Sequence, residues 1–357
     1  MGADDLFQFN GNPVIVGTGL ISLDIVLGPD EISSPRLFAG GTCGNLLIIL
    51  SYLGWKSFPV SRMNGDKASK HVVADLKRWG VQTDWAKTKP GGDTPIIVQR
   101  IQRSATGEIS HRFSWKCPNC GAWLPGYRAV PAAATHTVTE VIKSANVFFF
   151  DRVSRGALDL ASTYREAGAL VVFEPSGVGE PRLFRAAIAS AHIVKYAEDR
   201  IHEIDDLRKL KGPLLEIQTR GSDGLRYRRI TDDGVERKWT DIAAIPTNAV
   251  RDTSGAGDWC SAGIIHHLGA KGVEGLRSAT NEDIRRAIRL GQAMAAWNCK
   301  FEGARGGMYE CEKKAFRSEI RALLDGRESS IHRELRRDRK TRAFGCLGPS
   351  CRCKRET

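Results

Sequence analysis

A chain of 357 residues with 41% hydrophobic and 26% charged residues has an ordinary globular composition, long enough for one large α/β domain with a small appendage. Its densest apolar stretches, Leu46–Leu50 and Val147–Phe150, are core-sized, and no run reaches the roughly eighteen residues of a membrane span, so no membrane partner is expected. The net charge of +12 invites a nucleic-acid reading, but residues 327–357 hold ten Lys or Arg against four Asp or Glu, so half of the excess sits in a basic tail. The remainder is ordinary for a protein whose substrates carry phosphate. The opening Met-Gly-Ala-Asp-Asp lacks the basic, then apolar, build of a signal peptide, and the cytoplasm is the expected location.

Strands and helices alternate along the chain, which predicts a mostly parallel sheet covered on both faces. Val14–Gly17 reads as a first strand and Asn45–Leu53 as a helix ended by Gly54. A second helix is expected over Ala68–Trp79, with Val72, Val73, Leu76 and Trp79 at helical spacing and Gly80 as its stop. Then follow strand Val147–Phe150, helix Ala157–Ala167, strand Leu170–Phe173, helix Pro181–Ala191, strand Ile193–Val194 and strand Leu214–Thr219. Helices over Ala256–Leu268, Glu282–Lys300 and Glu310–Leu324 close the pattern. Two stretches, Asp24–Ala39 and Thr94–Phe113, read as extended segments outside the alternation, the second with period-two polarity at Ile97, Gln99, Ile101 and Arg103. They build either a small cover over a ligand crevice or an edge hairpin without function.

The chemistry concentrates in Asp252-Thr253-Ser254-Gly255-Ala256-Gly257-Asp258, just before the apolar helix containing Ile264, Ile265 and Leu268. A Gly-rich turn at a helix start leaves backbone N–H groups unpaired and pointing one way, and the helix dipole adds to their pull on an anion. A carboxylate in the same turn would repel a resting anion. It makes sense as a base that takes a proton from an attacking hydroxyl while the N–H groups hold a transferring phosphoryl group.

These residues complete the D-T-x-G-A-G-D signature of the ribokinase-like (PfkB) carbohydrate and nucleoside kinase family, which the chain resembles from about Val14 to Met308. The resemblance implies a ribokinase-like three-layer α/β/α sandwich with a mostly parallel central sheet and a small β-sheet lid. It implies a kinase domain over 1–325, with the lid from about 24–39 and 94–128, and a tail over 326–357. It also implies ATP and Mg2+, with Asp258 as general base and the backbone of Gly255, Ala256 and Gly257 as anion hole. Gly40-Gly41-Thr42-Cys43-Gly44-Asn45 resembles the family's sugar-site motif, and Asp24 its hydroxyl-binding acid; an amide and a carboxylate can also hold vicinal hydroxyls on chemical grounds alone. Arg62, Asn64 and Asp66, in the stretch before Gly80-Val81, are either substrate contacts or surface residues. Gln99, Arg103 and His111 are the lid's candidates for choosing the acceptor.

On the nucleotide side Thr219-Arg220-Gly221-Ser222-Asp223-Gly224 resembles the turn beside the ATP phosphates. Lys195, Asn298 and the loop Gly303-Ala304-Arg305-Gly306-Gly307 fall where relatives hold phosphate and adenine. Asp252, Thr253 and Gly303 are the implied potassium site. One departure is plain: in Lys195-Tyr196-Ala197-Glu198-Asp199-Arg200 the family's N-x-x-E has become Ala197 and Arg200. Glu198 or Asp199 then holds a magnesium-bound water, or Arg200 or Lys195 neutralises phosphate directly.

Of nine cysteines, Cys43, Cys260, Cys299 and Cys311 stand singly in apolar or helical patterns and are expected in the core. Cys117-Pro118-Asn119-Cys120-Gly121 has the shape of half a zinc ribbon. Two of Cys346, Cys351 and Cys353, in particular Cys351 and Cys353, would complete a structural four-cysteine site; a reduced pair, a redox pair and a metal shared by two chains stay open. The leading function is ATP-dependent phosphorylation of a primary hydroxyl on a sugar, sugar phosphate or nucleoside. The alternative is a non-catalytic or regulatory protein of kinase fold that binds nucleotide, or nucleic acid through its basic tail. Nucleic acid is not the expected partner, and lids of this kind pair into homodimers in relatives.

Overall fold

The computed structural model describes residues 5–9, 11–28, 35–63, 65–86, 93–103, 109–202, 204, 212–231, 234–235, 238–247 and 250–327. The elements run β1 Val14–Thr18, β2 Ser22–Leu27, β3 Arg36–Gly40, α1 Thr42–Tyr52, β4 Lys56–Val60, α2 Lys67–Arg78, β5 Ile96–Arg103 and β6 Ile109–Ser114. There follow α3 Thr135–Val141, β7 Val147–Phe150, α4 Arg155–Glu166, β8 Leu170–Phe173, α5 Pro181–Ser190, β9 Ile193–Ala197, β10 Leu215–Thr219, β11 Leu225–Thr231, β12 Gly234–Val235 and β13 Thr240–Ile242. The chain continues through α6 Ala256–Leu268, α7 Val273–Arg277, α8 Asn281–Asn298, α9 Gly306–Glu310 and α10 Lys313–Leu324.

Among the described residues, nine strands form one sheet in the order β12-β11-β10-β9-β8-β7-β1-β4, with β13 also on β11. Six of these, from β4 to β10, run parallel, and the β10–β11 pair turns antiparallel at the edge. Val147–Phe150 and Leu170–Phe173 are buried at every position, as strands covered on both faces must be. The apolar core divides into two clusters. Helices α1, α6, α8 and α10 cover one face, and α4 and α5, with Leu160, Tyr164 and Phe184, cover the other. The fold class expected from the sequence is the one observed. No helix among the described residues is long and apolar enough to cross a membrane.

A second, four-stranded sheet has the order β3-β2-β5-β6 and comes from the two extended segments. One of its faces, with Leu23, Ile25, Ala39, Ile96 and Val98, belongs to the main core and packs beside α2. Asp24, Phe38 and Gln99 alternate onto the other face and line a small cleft. Ile97, Gln99 and Ile101, two residues apart in β5, share this one mixed face.

Most helix boundaries fall within two residues of expectation. The helix after Gly40-Gly41 begins earlier, at Thr42 rather than Asn45, because Gly41 adopts φ 78° and turns the chain directly from β3 into α1. The expected helix over 310–324 is two helices, parted at Cys311 and Glu312. Cys43, Cys260 and Cys299 are buried, while Cys311 is half-buried.

Candidate active site

The parallel strands end at one edge of the sheet, and that edge collects the charged groups. Asp151 follows β7, Glu174 follows β8, Lys195 lies on β9, and Asp258 occupies the first turn of α6. Gly255 precedes that turn at φ 74°, and a Cβ there would stand 2.3 Å from the Ala304 carbonyl oxygen. Left-handed backbone and close approach together demand glycine. Gly257 is exposed, and among the described residues a Cβ there would meet Glu174 and Lys195 at 3.8 and 3.9 Å. The N–H of Ala256 reaches the Thr253 carbonyl at 3.2 Å, closing the turn.

Asp258 is buried and accepts a hydrogen bond from Asn45 Nδ2 at 2.7 Å, so the Gly40–Asn45 motif and the Gly255–Asp258 turn meet across 213 residues. Burial first, then repulsion from Glu174, raises the Asp258 carboxyl well above the usual range; the Asn45 bond and the Lys195 charge oppose the rise. Lys195 Nζ donates to Glu174 Oε1 at 2.6 Å and to the Gly257 carbonyl at 3.2 Å. Burial is the largest single influence and works against the ammonium, but Glu174, Cys260 and Asp258 together outweigh it and hold the group charged above its usual range. The other Glu174 oxygen accepts from the Ser261 hydroxyl. Asp151 takes the N–H of Leu20 at 2.9 Å and Arg152 Nη1 at 2.8 Å; burial pushes its carboxyl up to about 6.

Asp24, Asn45, Gln99 and Arg305 line the cleft between the second sheet and the loop after α8. Gly40 has no room for a side chain, since its Cβ would lie 2.0 Å from the Asp24 carboxylate. Asp24 is pushed up to about 6, burial leading, against the Ser22 hydroxyl bond, the Arg305 charge and the Gly41 N–H. Gln99 Nε2 donates to Ser254 Oγ at 2.6 Å and so ties the second sheet to the 252–258 turn.

Asp252 accepts the N–H groups of Ser254 and Gly303 at 2.6 and 2.7 Å, which stitches together the segments expected to share a cation. Thr253 is exposed in the same turn. Asn298, expected near adenine, is fully buried and donates to the Gly303 and Ala304 carbonyls at 3.3 and 3.1 Å. Its amide holds loop 303–307 in place. The turn Thr219–Gly224 closes through the Arg220 N–H on the Gly224 carbonyl at 2.8 Å, and a Cβ on Gly224 would meet the Ile242 carbonyl oxygen at 2.2 Å. Asp66 accepts the Ser69 N–H at 2.7 Å as the N-cap of α2, while Arg62 lies just after β4. Asn64, Cys346, Cys351, Cys353 and the side chains of Arg103 and His111 lie outside the described residues.

Cys117 is buried and Cys120 exposed in a turn closed by the Gly121 N–H on the Cys117 carbonyl at 2.9 Å. No group of three or more His, Cys, Asp or Glu among the described residues is placed to hold a metal ion. Glu174, Asp151 and Arg305 in these roles escape a sequence reading. Each carboxylate is a lone acid after an apolar strand, with no flanking motif. Arg305 looks like one more residue of a glycine-rich loop.

Residues 18–310 match the pfkB family carbohydrate kinase. In fold the chain is similar to ribokinase from Giardia lamblia (TM-score 0.65, 17% identity, covering 88% of this chain and 99% of that one). It is likewise similar to Arabidopsis thaliana ribokinase complexed with ribose and ATP (TM-score 0.59, 19%, 88% and 99%). A third likeness is to Burkholderia thailandensis nucleoside kinase in complex with inosine (TM-score 0.60, 16%, 87% and 97%). With the match spanning both the Gly40–Asn45 motif and the Asp252–Asp258 turn that the fold brings together, the chain belongs to the pfkB family of carbohydrate kinases.

Proposed function

We propose that the protein transfers the γ-phosphoryl group of ATP to a hydroxyl, a primary CH2OH, of a sugar, sugar phosphate or nucleoside. The observation that carries this reading is the Asn45–Asp258 contact at 2.7 Å, which joins an acceptor motif to a carboxylate at an anion-holding helix start. Asp24 and Asn45 orient the acceptor so that its hydroxyl faces the Asp258 carboxylate. A carboxyl raised in this way binds a proton more tightly, so once ionised it is the stronger base toward the acceptor hydroxyl. Asp258 takes the hydroxyl proton as the oxygen attacks. The N–H groups of Gly255 and Gly257, with the Ala256 N–H closing the turn between them, then face the phosphoryl oxygens, and Lys195 beside them adds positive charge. The second sheet, tied to the turn by Gln99, limits water at the reacting atoms and so suppresses ATP hydrolysis.

Mg2+ would enter with ATP and neutralise phosphate charge. Glu198, which pairs with Arg226 at 3.9 Å, or Asp199, both just past β9, is the acid proposed to receive a magnesium-bound water. Asp252, Thr253 and Gly303 form the proposed potassium site. Cys117 and Cys120, with Cys351 and Cys353, form the proposed structural zinc site. ATP consumption against a panel of sugars, sugar phosphates and nucleosides, with and without potassium, tests the function. One acceptor class should raise consumption well above the ATP-only rate. A panel with no active acceptor would sink the reading and favour the regulatory alternative.

A further inference from the structure

Arg305 is buried, and all three of its guanidinium nitrogens donate to neighbours. Its Nε donates to Asn45 Oδ1 at 3.0 Å, its Nη1 to Tyr309 Oη at 2.9 Å, and its Nη2 to Asp75 Oδ2 at 3.0 Å and to the Ala39 carbonyl oxygen. Asp75, from α2, also accepts the N–H of Ala39 at 2.9 Å and the Tyr309 hydroxyl at 2.8 Å. The arginine therefore grips both the residue before Gly40-Gly41 and the asparagine that ends that motif. A guanidinium has only donors. Whatever amide atom faces Nε must be the oxygen, and the Asn45 NH2 is then turned toward Asp258 Oδ2. A free asparagine could turn over and present its oxygen to the carboxylate, which would repel it.

We propose that Arg305 is a positioning residue for the transfer: it fixes the Asn45 amide so that its N–H faces Asp258, and it clamps Ala39 so that the acceptor motif and the base keep one geometry. The proposal rests on the phosphotransferase reading for its kinetic part only; the carboxylate–amide geometry is testable without turnover. The groups facing Asp258 are Asp151 after β7, Glu174 after β8, Lys195 on β9 and Cys43 on α1, with Cys260 on α6 beside Lys195. Arg305 touches none of these directly. Its effect on Asp258 must pass through Asn45.

The test follows the Asp258 carboxyl by 13C NMR titration of the ligand-free protein, Asp258→Asn identifying the signal. Arg305→Met should move the titration upward by half a pH unit or more, because Asn45 no longer donates reliably, and Asp75→Asn should leave it in place. In the active enzyme Arg305→Met should lower kcat about 10- to 100-fold with a smaller change in the KM for ATP. In an Asn45→Ala background the same change should cost less than about threefold, since the intermediary is gone. Where Arg305→Met fails to fold because Asp75 loses its counter-charge, the double variant Arg305→Met with Asp75→Asn removes both charges and carries the titration. An unmoved Asp258 titration, or an equal kinetic loss with and without Asn45, would overturn the proposal. Absence of any turnover would count against the kinase reading and leave the titration to decide this one.

Discussion

At the scale of single residues, the site is built from groups held at a cost. Gly40 leaves room for the Asp24 carboxylate 2.0 Å from where a Cβ would stand, so Gly40→Ala must push Asp24 aside. The expected result is an acceptor KM raised at least about tenfold with ATP affinity unchanged, read by steady-state kinetics and calorimetry. Gly255→Ala meets both a left-handed backbone, costing about 1–2 kcal/mol, and the Ala304 carbonyl oxygen; it should lower thermal stability as well as kcat. These glycines and Asp258 were legible in the sequence because each belongs to a short, fixed spacing. Asp151, Glu174 and the use of Arg305 were not, because their meaning lies in what the fold sets beside them. Lys195 was legible as a phosphate-side cation, but its pairing with Glu174 needed β8 and β9 to be neighbours.

At the scale of elements, most strands and helices announced themselves. The β7 and β8 runs are apolar throughout, and α2 repeats at helical spacing behind the Asp66 cap. What the pattern hid were β4 and the edge strands β11, β12 and β13. Tyr227 alternates with Arg226 and Arg228, and those arginines pack on Trp239, so half of β11 is polar for reasons of tertiary contact. Asn298 likewise reads as a nucleotide contact in sequence, while its amide holds loop 303–307 to the end of α8. Asn298→Ala leaves those carbonyls without their donor and should cost about 1–3 kcal/mol of unfolding free energy. Denaturant unfolding checks the stability, and a potassium titration should show weakened activation in the same variant.

At the scale of the molecule, the edge of the sheet carries two buried carboxylates, Asp151 and Asp258, and the half-buried Glu174, in the neighbourhood of one buried lysine. Asp151, raised to about 6 from 3.8, favours the protonated form in the fold. Its folded state therefore binds more protons than the unfolded one between those values, and stability present at low pH is lost as pH rises through about 6. Asp151→Asn removes that loss. Its stability relative to wild type should improve by about 1–2 kcal/mol between pH 5 and pH 8, measured on the ligand-free protein by denaturant unfolding. A difference that does not change with pH would contradict the assignment.

Asp258 is the carboxylate that the fold brings to the Gly40–Asn45 motif and to the glycine turn at once. Asp258→Asn keeps the side-chain volume while removing the negative charge and with it the ability to take a proton. It should reduce phosphoryl transfer to the best acceptor by roughly 10³-fold while ATP still binds within about threefold of wild type, measured by coupled assay and calorimetry on the same preparation. Retention of more than a few per cent of the wild-type rate would contradict it.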